Sequence, residues 1–149
     1  MKTYDVMTQD VQSIGAHATI EEAAKIMADQ RVGFLPVVEG GHAIGVLTDR
    51  DIVLRVVSQG MNPKTAQVVS VMTPSVVTVY DDQPIEEAVE LMCREHVSRV
   101  LVKNRSGCIV GLVSSADIAA LAGSDQIAVV SGSLGEAYWE RHLFASPPS

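Results

Sequence analysis

Thr48 and Asp51 lie three positions apart in the stretch Gly45-Val46-Leu47-Thr48-Asp49-Arg50-Asp51-Ile52, and Ser114 and Asp117 repeat the pair in Gly111-Leu112-Val113-Ser114-Ser115-Ala116-Asp117-Ile118. Each pair follows an apolar, β-rich run and precedes helix-spaced apolar residues, so a hydroxyl and a carboxylate stand where a strand hands over to a helix. Two chemistries suit that place. A hydroxyl N-cap with an acid three residues on satisfies the free N–H groups of a helix start. The same start carries partial positive charge and favours phosphate, to which the hydroxyl can donate, while the carboxylate can accept both hydroxyls of a ribose. The two uses are compatible in different states. Arg50 lies inside the first motif where the second has Ala116. It reads either as a phosphate contact or as a solvated charge.

Other chemistry finds less support. His17, His42, His96 and His142 are scattered without metal-ligand spacing, and no P-loop or nucleophile–base constellation is present. Cys93 and Cys108 show no CxxC spacing and are expected to be reduced, buried thiols. No catalysis, catalytic residue, metal or obligatory cofactor is therefore expected. With 18 acidic residues against 11 Lys plus Arg, the formal charge of −7 disfavours nucleic acid as a partner. No signal-like or membrane-spanning run is seen, so no membrane association and a cytoplasmic location are expected.

The elements that must position the two pairs come from a duplication. Val6-Met7-Thr8 recurs as Val71-Met72-Thr73 and Ile20-Glu21-Glu22-Ala23 as Ile85-Glu86-Glu87-Ala88; Met27, Val32 and Val37 match Met92, Val97 and Val102 at the same spacing. One inserted residue later, Gly45, Asp51 and Ile52 match Gly111, Asp117 and Ile118. Each copy predicts a capped helical turn at Asp5-Val-Met-Thr or Ser70-Val-Met-Thr, then a short strand at 11–14 or 76–79. A helix follows, with one apolar face at Ile20, Ala23, Ala24 and Met27 or at Ile85, Ala88, Val89 and Met92. Thr19 and Glu22 form a capping box, Pro84 suits a first turn, and Glu21/Lys25 and Glu90/Arg94 are i, i+4 pairs. Hairpins follow at 34–38 with 43–47 and at 99–103 with 108–113, and Pro36 predicts an edge strand or a strand start. Helices near 49–59 and 115–122 close the copies before Gly60 and Gly123.

The fold class is α/β (α+β): two β-α-β-β-α repeats, each too small to bury much alone, packed around a pseudo-twofold axis. The expected divisions are 3–60 for repeat 1, 61–67 for the connector, 68–123 for repeat 2 and 124–149 for a C-terminal extension. That extension is partly helical over 135–144, with Trp139 packing on this protein or its dimer mate, and then loose.

The Val-Met-Thr lead-ins, the Ile-Glu-Glu-Ala helices, Leu-Pro-Val-Val and Gly-Val-Leu-Thr-Asp-Arg-Asp-Ile resemble the CBS (cystathionine-β-synthase) domain family over residues 3–122. Two copies make a tandem pair, or Bateman module, of the stand-alone bacterial type. The resemblance implies a regulatory module whose two clefts hold an adenosine-containing ligand: AMP, ADP or ATP, S-adenosylmethionine or, less often, NAD. It puts the Thr48 and Ser114 hydroxyls on phosphate and Asp51 and Asp117 on ribose. The adenine would lie against Ser13-Ile14 and Leu35-Pro36-Val37, and in the second copy against Thr78-Val79 and Val100-Leu101. Arg99 matches an arginine that reaches the phosphates across the pseudo-twofold, whereas its counterpart is Phe34. The Thr48–Asp51 cleft, with Arg50 and Arg99, is therefore expected to be the better phosphate site. Leu101 in place of Pro36 and Ser98 in place of Gly33 are expected to reshape the other cleft. A homodimer is expected, because Ile52, Val53, Val56 and Val57 exceed what one core face needs; an unidentified regulated protein is a further partner. The alternative is a ligand-independent CBS-fold dimer used as a stress-related interaction module.

Overall fold

The computed structural model describes residues 1–123; the expectations for 124–149, Trp139 included, lie outside the described residues. The chain forms two compact units, one of residues 11–76 and one of residues 1–10 with 77 onward.

In the first unit, β1 (Ile14–Gly15), α1 (Ile20–Gln30), β2 (Phe34–Glu39), β3 (His42–Thr48) and α2 (Asp49–Ile52) follow one another, and α2 continues as a π-helical turn over Val53–Val57. The short helix α3 (Val68–Val71) completes the unit. Thr19 caps α1 as its sequence requires: the Glu22 N–H donates to Thr19 Oγ1 at 3.2 Å and the Thr19 N–H to Glu22 Oε2 at 3.1 Å. The face of α1 with Ile20, Ala23 and Met27 is buried against Leu35, Val37 and Leu47 of the sheet and Val68 and Val71 of α3. Lys25 meets Glu21 at 3.4 Å. Gly40 and Gly41 both have positive φ (58° and 81°), so the hairpin turns on two residues and β2 and β3 run up to Glu39 and His42.

The second unit repeats the pattern with β4 (Thr78–Tyr80), α4 (Ile85–Glu95), β5 (Arg99–Lys103), β6 (Ile109–Ser114) and α5 (Ser115–Ala119). Its core joins Ile85, Ala88, Val89 and Met92 of α4 to Val100, Val102 and Val113 of the sheet. Arg94 pairs with Glu95 at 3.7 Å, where an i, i+4 pair with Glu90 was expected. Neither cysteine is in a disulfide, but only Cys93 is buried; Cys108, in the hairpin, is exposed, contrary to the expected pair of buried thiols.

Each unit holds a three-stranded sheet with its first strand parallel and its last strand antiparallel to a central strand. Pro36 therefore lies in the central strand, β2, and not at an edge. Comparison of the copies explains the tolerance. Leu101 donates its N–H to Val77 O at 3.0 Å, and β4 pairs from Thr78↔Leu101 onward. Pro36, at the matching place, has no N–H, and pairing of β1 starts one residue later, at Ile14↔Val37. The proline shortens the parallel strand; it does not displace β2.

The lead-ins also differ from expectation. The helical turns are Thr3–Asp5 and Val68–Val71, ahead of Met-Thr, and Asp5 is the acid of a cap on Lys2, not the cap itself. Met-Thr is extended and adds antiparallel contacts: Thr8 exchanges backbone hydrogen bonds with Leu112 (2.8 and 3.0 Å) and Thr73 with Val46 (2.9 and 2.8 Å). Thus each unit takes the lead-in of one repeat and the β-α-β-β-α body of the other.

Candidate functional site

The two strand-to-helix junctions are built alike. At the end of β3 the Thr48 N–H donates to Asp51 Oδ2 at 2.9 Å, and the Asp51 N–H donates to Thr48 Oγ1 at 3.1 Å. At the end of β6 the Ser114 N–H donates to Asp117 Oδ2 at 2.9 Å and the Asp117 N–H to Ser114 Oγ at 3.1 Å. The cap is closed by protein groups alone. It uses each hydroxyl oxygen as an acceptor, so the hydroxyl proton remains to be donated, and it uses one carboxylate oxygen, leaving lone pairs on the other. All four side chains belong to part-buried residues.

Glycine makes the junctions possible. A Cβ on Gly45 would lie 2.6 Å from both Met72 Sδ and the Thr73 carbonyl oxygen, and one on Gly111 would lie 2.6 Å from Met7 Sδ and 3.0 Å from Thr8 O. The lead-in backbone therefore seats directly on the motif glycine, three residues before the hydroxyl.

The surroundings of the two acids diverge. Arg55, one turn beyond Asp51, places Nη2 3.7 Å from Asp51 Oδ1, and its Nη1 donates to Val71 O at 2.7 Å. The corresponding residue of the second copy is Leu121. There Thr8, from the lead-in, sets its hydroxyl 3.4 Å from both Asp117 oxygens. Asp49 lies over Gly33, where a Cβ would come within 2.7 Å of its Oδ2, and its Oδ1 accepts the Arg50 N–H at 2.8 Å. The second copy has Ser98 and Ser115 at those two places, still joined by Ser115 N–H donating to Ser98 O at 2.8 Å. Thr8 and Arg55 are the site residues that motif reading passed over. The recurrence of Val-Met-Thr and the i+4 spacing from Asp51 were their signals.

The expected site residues divide between the units. Thr48, Arg50, Asp51, Ser13, Ile14, Leu35, Pro36 and Val37 belong to one, and Arg99, Ser114, Asp117, Thr78 and Val79 to the other. Arg99 stands in register opposite Ser114, as Phe34 does opposite Thr48. Ile14, Leu35, Pro36, Val37 and Val79 are buried, Thr78 is half-buried and Ser13 is exposed. Among the described residues no helix is long and apolar enough to cross a membrane.

The CBS domain family model matches residues 4–58 and again residues 68–123. The chain belongs to the CBS domain family. Its two repeats are a CBS pair, with the mixed α/β fold of one. It is 37% identical over 115 residues to the CBS domain-containing protein YhcV of Bacillus subtilis, covering 77% of this chain and 81% of that protein. It matches a homoserine O-acetyltransferase of Methanococcoides burtonii at 35% identity, but spans only 24% of that enzyme's length. Among solved structures, the CBS domain protein PAE2072 of Pyrobaculum aerophilum, complexed with AMP, superposes with a TM-score of 0.75 at 27% identity, covering 89% of this chain and 99% of that one. The CBS domain pair of MJ0100, in complex with 5-methylthioadenosine and S-adenosyl-L-methionine, gives 0.72 at 27% identity, covering 83% and 96%.

Proposed function

We propose that this CBS pair is a non-catalytic regulatory module that binds an adenosine-containing ligand and reports energy or metabolite state. The reading rests on one observation: both junctions hold a hydroxyl and a carboxylate in a cap that leaves a donor on the first and lone pairs on the second. Thr48 and Ser114 take phosphate oxygens, and Asp51 and Asp117 take ribose hydroxyls. Backbone groups of Ser13-Ile14, Leu35-Pro36-Val37 and Thr78-Val79 line the base. Arg50 and Arg99 add charge for the phosphates, which favours AMP, ADP or ATP over the phosphate-free S-adenosylmethionine; NAD, which also carries phosphate, is a further candidate. The neighbours complexed with AMP and with S-adenosyl-L-methionine support the ligand class.

Thermal unfolding with each ligand at millimolar concentration tests this, because a ligand bound only to the folded state stabilises it by RT ln(1 + [L]/Kd). An AMP-type ligand should raise the melting temperature, and Asp51→Asn, which keeps a capping oxygen, should lower the ligand-free value little while reducing the shift. No shift with any of the ligands would defeat the proposal.

A second reading is favoured by the surface of the closing helix. Val53 (55% exposed), Leu54 (49%), Val57 (68%) and Met61 (40%) leave apolar area uncovered. We propose that a second copy covers them as a homodimer. If no adenosyl ligand binds, the module acts as a ligand-independent interaction protein. Sedimentation showing a monomer at micromolar concentration would refute the dimer.

A further inference from the structure

The two carboxylates proposed to hold ribose are not equally available, and the difference lies in a residue outside the motif. Asp51 Oδ2 is taken by the Thr48 N–H at 2.9 Å, and Oδ1, the remaining oxygen, faces the Arg55 guanidinium at 3.7 Å. Arg55 is held there by a hydrogen bond from Nη1 to the Val71 carbonyl at 2.7 Å, at the last residue of α3. A guanidinium has five N–H donors in a rigid fork, and this side chain is 48% exposed, so donors remain open on its solvent side. In the second copy the matching residue is Leu121, which cannot pair with a carboxylate. Beyond the Ser114 N–H of its own cap, Asp117 has beside it, among the described residues, a neutral hydroxyl, that of Thr8, at 3.4 Å.

We propose that Arg55 makes the Asp51 junction select phosphorylated over neutral adenosine ligands. The proposal rests on the nucleoside reading above and deepens it. A ribose diol that approaches Asp51 Oδ1 must weaken the ion pair with Arg55. A ligand carrying phosphate supplies a replacement anion for the guanidinium as it does so, and arginine suits that role by its bidentate geometry. Adenosine supplies none and binds against an acid already paired. At Asp117 no residue at the matching position imposes this selection.

The test isolates one junction. In an Asp117→Asn background, which keeps a capping oxygen but removes the charge, AMP and adenosine are titrated calorimetrically. AMP should bind more tightly than adenosine. Arg55→Leu should weaken AMP about tenfold while leaving adenosine within about twofold, and Arg55→Lys, which keeps the charge without the fork, should fall between. Equal losses for both ligands would make Arg55 a structural residue and overturn the proposal, as would AMP binding unchanged by Arg55→Leu. Melting temperatures of the variants show whether the Val71 contact matters to the fold, and the Lys variant carries the test if the Leu variant does not fold. Failure of the unsubstituted protein to bind either ligand would overturn the nucleoside reading and this proposal together; binding that ignores Arg55 would overturn this proposal alone.

Discussion

Asp51 and Asp117 show how little separates a cap from a binding group. Each carboxylate closes its own helix start as the N3 acid of a capping box, so substitution by Ala removes that half of the box as well as the proposed ribose acceptor; Asn separates the two effects. A different side chain responds to pH. His17 Nε2 lies 3.1 Å from Glu39 Oε1 and its Nδ1 lies 3.4 Å from Gln67 Oε1. Both neighbours are acceptors as placed, so the imidazolium, with two donors, suits the position better than the neutral ring. The hydrogen bond to Glu39, helped by that to Gln67 and by the Glu39 charge, raises the His17 pKa above its ordinary value. A raised folded-state pKa means that this contact stabilises fully below the unfolded-state value, about 6.5, and is lost as pH rises through the folded-state value. An NMR titration should find His17 above that ordinary value and Glu39→Gln should bring it down; a value indifferent to Glu39 would contradict the pairing.

Among the elements, the lead-ins carry the most consequence. Their pairing with Val46 and Leu112 requires Gly45 and Gly111, because a Cβ would meet the Thr73 or Thr8 carbonyl as well as a methionine sulfur. Gly45→Ala and Gly111→Ala should each destabilise by about 1–3 kcal/mol, read from denaturant midpoints, whereas Gly33→Ala meets only the Asp49 side chain and should cost less. A neutral Gly45→Ala would mean that the lead-in does not seat there. The helices, hairpins and capping boxes were legible because they depend on local signals: Thr19 with Glu22, the Ile20-Ala23-Met27 face, and the paired glycines at 40 and 41. Pro36 misled because a proline removes one N–H from the ladder, and β1 begins its pairing only past it, at Ile14↔Val37, so β2 stays central between β1 and β3. The exchange of lead-ins is a matter of long-range pairing, which repeat spacing cannot encode. Thr8 escaped the motif for the same reason, whereas Arg55, an i, i+4 partner of Asp51, lay within local reach but outside the motif, held by its contact with Val71. Their importance comes from what the chain brings beside them.

For the whole molecule, duplication supplies two similar junctions that differ in detail, with Arg55 and Asp49 at one and Leu121, Ser115 and Thr8 at the other. A pair of unequal sites is what a module needs if two ligands, or two concentrations of one, are to be distinguished through shifts in population. The central claim is that both acids bind an adenosine ligand. It is tested most directly by calorimetric titration of AMP into the unsubstituted protein and into the Asp51→Asn/Asp117→Asn double variant, with each first shown to melt cooperatively. Saturable binding by the first and its loss in the second is the predicted result. Saturable binding that survives in the folded double variant would contradict the claim.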